Sequence, residues 1–246
     1  MNKNPILITG AMSSELEILI SKLEDSVFKL ENSFEIYEGT IKSYPIVILK
    51  TKVGVINTAI SLTMAIQKYK PIAIINGGTS GSHEYNIHKF DLIIGESVVN
   101  INSMKTGVRQ LGRGMNPFDW KIQEFHTGAE DELIIYNADK DMVELSEDIQ
   151  SKYQYGNVYT GRIGSGDVWN REVDRISWLN KNFKTSCEEM ESVSIYKLAN
   201  MFNIPVISFK VISNNEMTGE KFDIETAKAC QEFTYEFIKT YINNMN

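Results

Sequence analysis

The sequence predicts a single α/β domain over residues 1–246, built on a central, largely parallel sheet flanked by helices. Short apolar, β-branched runs alternate with stretches of helical periodicity along the whole length. No internal repeat, linker or low-complexity tract interrupts that alternation. Hydrophobic residues make up 42% and charged residues 23% of the 246. A chain of this size and composition buries about 70–75% of its unfolded surface.

Residues 5–9 (PILIT) are short, apolar and β-branched and end at Gly10, which reads as a buried strand. Met12, Leu16, Leu19 and Leu23 then recur at helical spacing, with Ser14 and Glu17 as a capping box. Strands are expected over 34–38 and 41–50, joined by a turn at Gly39-Thr40. A helix over about 55–69 should close at Lys70-Pro71, because the residue before proline disfavours helical backbone. Residues 72–75 read as another buried strand, 76–81 as a glycine-rich loop and 91–99 as a strand. From about 100 to 128 the pattern weakens into a long loop, and such loops are often functional. Beyond it, helices are expected over 140–153, 171–180 and 190–202, and strands over 157–163 and 205–212. In the last helix, Ile224, Ala227, Cys230, Phe233 and Phe237 should point inward.

Charge and composition narrow the function. A net charge of −7 and a pI near 5.2 oppose a broad nucleic-acid or anionic-membrane surface. No apolar run approaches the ~20 residues of a membrane span, and the start MNKNPILITG lacks a signal-peptide layout. Cys187 and Cys230 make neither a disulfide framework nor a CxxC pair. The expectation is a soluble protein of the cytoplasm.

In open α/β sheets ligands bind at the carboxyl ends of strands. That rule selects residues 10–15, 53–54, 76–81, 164–167 and 212–215. No GxxxxGK[ST] loop, GxGxxG spacing or GxSxG elbow occurs, which argues against a P-loop nucleotidase, a dinucleotide site and a hydrolase triad. His83, His88 and His126 lack metal-ligand spacing and read as surface or loop histidines, so no metal site is expected. Carboxylates remain. Glu15 stands in the first turn of a helix, where an acid also merely compensates the helix dipole. Glu191 lies four residues before Ile195 and seven before Leu198, on the apolar face of its helix. It is either a functional carboxylate or a satisfied buried acid, since a buried charge needs partners. Glu188 and Glu189 read as a solvated face.

Five motifs then occur in one order: Gly10-Ala11-Met12 with Glu15, residues 76–81 (NGGTSG), Ser165-Gly166-Asp167, Glu189-Met190-Glu191 and Val211-Ile212-Ser213. In this order and spacing the chain resembles the nucleoside phosphorylase-type superfamily, most of all its 5′-methylthioadenosine/S-adenosylhomocysteine nucleosidases. The resemblance implies a single α/β domain with a central mixed sheet, a homodimer, a small-molecule purine nucleoside as substrate, no cofactor and a part in methionine salvage. By the resemblance Glu15 is the water-activating glutamate, Glu191 holds the ribose hydroxyls, and Met190 packs on the sugar. It also implies that Thr79 lies near the ribose and that Trp169 stacks on the base, the plain alternative for Trp169 being core packing. Met12, Val53 and Phe222 match positions lining the pocket for the 5′ substituent. Asp167 and Ser213 fall in motifs that contribute substrate-binding residues.

These residue types suit the chemistry. Cleaving a glycosidic bond passes through an oxocarbenium-like sugar, which a carboxylate on the 2′- and 3′-hydroxyls stabilises as the charge develops. The chain also departs from the nucleosidase pattern. Asn214 stands where they carry the aspartate that protonates adenine, and Lys210 where they carry an arginine. Asparagine has no acid proton, but it both donates and accepts hydrogen bonds, as the edge of a 6-oxopurine requires. Futalosine hydrolases resemble this chain in having that asparagine. Asn76 stands where phosphorylases have a phosphate-binding arginine, which favours water as nucleophile. Arg109 and Arg113 in the long loop keep phosphorolysis open, and a nucleoside-binding or storage protein on the same fold is a third reading.

Overall fold

The structure, a computed structural model, describes residues 3–123 and 133–245. The chain runs β1 (Ile6–Gly10), a 3-10 turn (Ser13–Glu15), α1 (Glu17–Ser21), β2 (Glu24–Glu31), β3 (Phe34–Ile41), β4 (Tyr44–Lys50), α2 (Val55–Tyr69), β5 (Ala73–Ser82) and β6 (Leu92–Asn100). It continues through β7 (Met104–Lys105), β8 (Lys121–Ile122), β9 (Ile135–Asn137), α3 (Lys140–Asp148), β10 (Val158–Ser165), α4 (Val173–Phe183), β11 (Thr185–Glu189), α5 (Ser192–Phe202), β12 (Val206–Asn214) and α6 (Thr226–Asn244).

One large sheet has the order β11-β10-β6-β12-β5-β1-β4-β3-β2, with β9 beside β6. It is α/β and mixed, as expected, but not largely parallel. Among the described residues, five of its pairings are parallel and five antiparallel. Nor is it open throughout. β11 pairs back onto β5, Glu188 opposite Gly81, and closes β5, β12, β6, β10 and β11 into a barrel-like ring. Closure covers the β11 edge and gathers several strand ends around one rim.

Strand periodicity builds a core on each face. In β1, Ile6 and Ile8 join the core that holds Phe209, Phe233 and Phe237, while Leu7 joins the core that holds Leu62, Ile195 and Tyr196. In β4, Ile46 and Ile48 face the first core and Val47 and Leu49 the second. Burying each of these large side chains contributes roughly 1.5–3 kcal/mol. Phe209 packs edge-on against Phe233 and Phe237, with ring centroids 5.1 and 5.0 Å apart.

Several expectations change. The helix over 12–23 shrinks to a 3-10 turn and five residues of α1. Its first-turn acid is Glu15, which accepts from the Ala11 and Met12 amides, and no Ser14–Glu17 box forms. β2 follows directly; its charged EDSVFKLE pattern hid an edge strand whose Val27, Phe28 and Leu30 are exposed. The β3–β4 turn lies at Lys42-Ser43, both at positive φ (52° and 61°), the twist a two-residue hairpin needs, and not at Gly39-Thr40. α2 ends as expected, with Lys70 left-handed (φ 49°) before Pro71. The glycine-rich loop over 76–81 is the second half of β5, held between β12 and β11. The long loop contains the small β7–β8 ribbon. α3 stops at Asp148, and Ile224 precedes α6 and is partly exposed, while Ala227, Cys230, Phe233 and Phe237 are buried.

Candidate active site

The strand ends gathered by the closed ring surround a cavity of about 230 Å³. It is lined by Met12, Glu15, Val53, Thr79, Trp169, Met190, Glu191, Ser213, Asn214 and Phe222, together with Ala11, Ser80, Gly81, Val168, Glu188 and Glu189. Ten of the eleven residues singled out from the sequence therefore converge on one place. Asp167 does not line this cavity. It is exposed at the mouth, and its Oδ1 accepts from the Val55 amide (2.9 Å) at the start of α2.

Glu15 leaves β1 on the 3-10 turn and is 5% exposed. Its Oε2 accepts from the amides of Ala11 (3.0 Å) and Met12 (3.1 Å), and its Oε1 from Thr79 N (2.8 Å) and Thr79 Oγ1 (3.1 Å). Four donors thus fix the carboxylate against the middle of β5. Gly78 makes that approach possible, because a Cβ there would lie 2.8 Å from Glu15 Oε1.

Glu191 occupies the position just before α5, without a side-chain cap bond, and is not on the helix face, since α5 begins at Ser192. Its carboxylate is still buried, and Oε1 accepts from Gly54 N (2.9 Å). Burial, together with the nearby Glu189 charge, pushes the Glu191 carboxyl up to about 8, against the pull of Lys210.

Glu188 and Glu189 are not a solvated face; both are buried and partnered. Glu189 binds the Lys210 ammonium (2.9 Å) and accepts from Ser192 N (3.0 Å) and Ser192 Oγ (2.9 Å) at the α5 N-terminus. Burial alone would raise Glu189, but Lys210 brings its carboxyl below the usual value. Burial alone would lower Lys210, but Glu189, Glu191 and Glu15 outweigh it and hold the ammonium above its usual value. Glu188 accepts from Asn170 and His83, so His83 is a buried, hydrogen-bonded residue and not a surface one. His88 is half-exposed beside Glu220, and His126 lies outside the described residues.

Trp169 is not packed in the core. It is half-exposed and meets Phe222 edge-on at 5.8 Å, so the two rings form an aromatic wall. Asn214 ends β12 and is buried; its Oδ1 accepts from Ser213 Oγ (3.1 Å). Asn76 does not reach the cavity, because Thr9, Ser192 and Ser208 occupy its amide inside the sheet. Cys187 and Cys230 are buried free thiols, pushed up by burial to about 12 and about 11.

Sequence reasoning missed Glu188 and Glu189 as cavity-wall residues, and His83 as the buried partner of Glu188. The available signal was Lys210, a lysine inside the apolar run Pro205–Ile212, since a buried ammonium demands a carboxylate nearby. Four carboxylates edge the cavity with one ammonium behind them, a field that favours positive charge developing within.

Comparison with known proteins agrees with this geometry. The profile of the phosphorylase superfamily matches residues 5–243. A 5′-methylthioadenosine/S-adenosylhomocysteine nucleosidase of Bacillus licheniformis is 25% identical over 240 residues, which are 95% of this chain and 98% of that protein. The nucleosidase of Neisseria meningitidis, solved with methylthio-immucillin-A, superposes with a TM-score of 0.79 at 20% identity, covering 97% of this chain and 100% of the other. Futalosine hydrolase of Helicobacter pylori superposes with a TM-score of 0.81 at 20% identity, covering 96% and 98%. A match over nearly the whole length, on a fold and a cavity of this kind, identifies the chain as a member of the phosphorylase superfamily.

Proposed function

We propose that this protein hydrolyses the N-ribosidic bond of a purine nucleoside, either methylthioadenosine/adenosylhomocysteine-like or carrying a 6-oxopurine. The observation that carries the reading is the convergence of two buried glutamates, Glu15 and Glu191, on one cavity beside an aromatic wall. Glu191 holds the ribose hydroxyls and, with Met190 against the sugar, stabilises the oxocarbenium-like transition state as its charge develops. Glu15 takes a proton from the attacking water, whose oxygen bonds to the anomeric carbon as the bond to the base nitrogen breaks. The bond's electron pair leaves with the base, which Trp169 orients by stacking and Asn214 contacts at its edge. Thr79 and Ser213 position the sugar and base, and Met12, Val53 and Phe222 shape the 5′ end. Asp167 acts indirectly, by fixing the start of α2 behind Val53 and Gly54.

Water is favoured over phosphate because no arginine lies among the described residues lining the cavity. The relatives' names point the same way. No helix among the described residues is long and apolar enough to cross a membrane, and a cytoplasmic site of action is part of the proposal. So is a homodimer: Val53, before α2, and Ile56 and Ile60 in its first turns are exposed at 47, 68 and 50%. Sedimentation is expected to give twice the chain mass, and a monomer at micromolar concentration would remove that part.

The deciding experiment is free-base release from a panel of purine nucleosides, with and without inorganic phosphate. Release independent of phosphate, with free ribose as co-product, is expected. Ribose 1-phosphate formed only with phosphate would make the protein a phosphorylase, and binding without any release would make it a binding protein.

A further inference from the structure

Glu189 and Glu191 flank Met190, and their carboxylates are bound very differently. Ser192 N donates to Glu189 Oε1 (3.0 Å); Ser192 Oγ (2.9 Å) and Glu191 N (3.2 Å) donate to Oε2, which also holds the Lys210 ammonium at 2.9 Å. The Glu189 side chain is 3% exposed, so these donors fix it against α5 and β12. Glu191 is held more loosely. Among the described residues, Gly54 N (2.9 Å) is the one hydrogen-bond donor to its carboxylate. One of its oxygens therefore keeps its full acceptor capacity for a ligand.

Lys210 decides how the charge is shared. Among the described residues its ion pair is with Glu189 alone, although Glu15 and Glu191 also act on it. A Cβ at Gly78 would lie 3.4 Å from Lys210 Nζ and 2.8 Å from Glu15 Oε1, so the ammonium and the Glu15 carboxylate meet at one point of β5. The charges acting on Glu191 come from several elements: Glu189 on β11, Lys210 on β12 and Glu15 on the 3-10 turn. Asp167, after β10, lies on the other side of Gly54. Burial and then the Glu189 charge hold the Glu191 carboxyl up near 8, while Lys210 pulls it down.

We propose that Glu189 is a positioning residue for the cleavage: by keeping the Lys210 ammonium to itself, it leaves Glu191 free to hold the sugar and keeps the cavity negative where the sugar cation forms. It touches no substrate and acts through Lys210 and Glu191. Without the Glu189 charge, the ammonium would turn to the two carboxylates that face the cavity and cancel part of the field that stabilises the cation. The inference rests on the nucleosidase reading for the nature of that cation.

The test follows Glu191 itself. In the full chain, labelled with 13C at the glutamate carboxyl carbons, its resonance is assigned by its loss in Glu191→Gln and followed against pH without substrate. The midpoint should lie near 8 in wild type. In Glu189→Gln it should fall by about one pH unit or more, because a negative neighbour is lost and a positive one is freed. Exchanging both groups, Glu189→Gln with Lys210→Met, removes opposed charges and should bring the midpoint back to within about one pH unit of wild type. With a nucleoside that is cleaved, kcat of Glu189→Gln above its midpoint should drop at least about tenfold. A merely structural role would cost stability and leave the midpoint where it was. An unmoved midpoint in folded Glu189→Gln, or a wild-type Glu191 that titrates only in the ordinary carboxylate range, would overturn the proposal. If Glu189→Gln does not fold, the double variant decides, and a midpoint displaced by more than about one pH unit overturns it. Cleavage with an unmoved midpoint would sink this inference and leave hydrolysis standing. A midpoint that moves as stated in a protein that cleaves no nucleoside would do the opposite.

Discussion

Glu191→Gln is expected to lower kcat/KM by about 10²–10³-fold, the cost typical of losing one electrostatic contact to the transition state. The folded protein should survive, because the glutamine carbonyl can still accept from Gly54 N and the replacement keeps the shape of a buried side chain. The loss should fall on kcat and kcat/KM together, the mark of an interaction made in the transition state. A pH dependence accompanies it. Burial raises the Glu191 carboxyl to about 8, so in the unliganded protein it gains a proton as pH falls through that value. The neutral acid cannot stabilise a cationic sugar, so kcat/KM should fall on the acid side with a midpoint near 8, and the variant should lack that limb. Turnover near wild type in folded Glu191→Gln would return the residue to a structural role. An acid limb only in the ordinary carboxylate range would show that Glu191 is charged throughout.

Lys210→Met should be the most destabilising change in the site, by about 3–5 kcal/mol, because it strands the buried Glu189 carboxylate. The ion pair is 2.9 Å long and its side chains are 2% and 3% exposed. Glu189 is depressed below its ordinary 4.5, so its contribution is present above that value and lost as pH falls through the folded value. Lys210 is raised above its ordinary 10.5, so its contribution is present below that value and lost as pH rises through the folded value. The deficit of the variant should therefore be full between about pH 5 and 10 and shrink in acid, where the stranded carboxylate takes up a proton. Denaturant melts of both proteins across that range provide the measurement. A variant within 1 kcal/mol of wild type at pH 7 would show that the pair merely offsets its own desolvation.

The readable parts of the fold were those where one physical signal dominated. PILIT, the helix closing at Lys70-Pro71 and the inward stripe Ala227, Cys230, Phe233 and Phe237 are hydrophobic patterns that any burial must satisfy. The missed strands were polar. β2 carries exposed Val27, Phe28 and Leu30 among charges, and β11 reads Thr-Ser-Cys-Glu-Glu, so neither shows a buried alternation. The Gly-rich half of β5 looked like a loop because glycine disfavours strands in isolation; there it admits Glu15 at Gly78 and the Asn214 amide at Gly81.

By itself, the sequence determined the α/β class, the existence of its main apolar strands and helices, and Glu15 and Glu191 as the carboxylates to single out, because periodicity and strand-end chemistry are local. Tertiary structure alone decided that β11 closes onto β5, that Glu188 and Glu189 lie inside and that Asp167 lies outside the cavity. The cost of burying a charge depends on partners brought from distant segments: Lys210 for Glu189, and His83 with Asn170 for Glu188. Those pairings arise from strand register across the closed ring, and register is set by long-range packing that no local stretch of sequence contains.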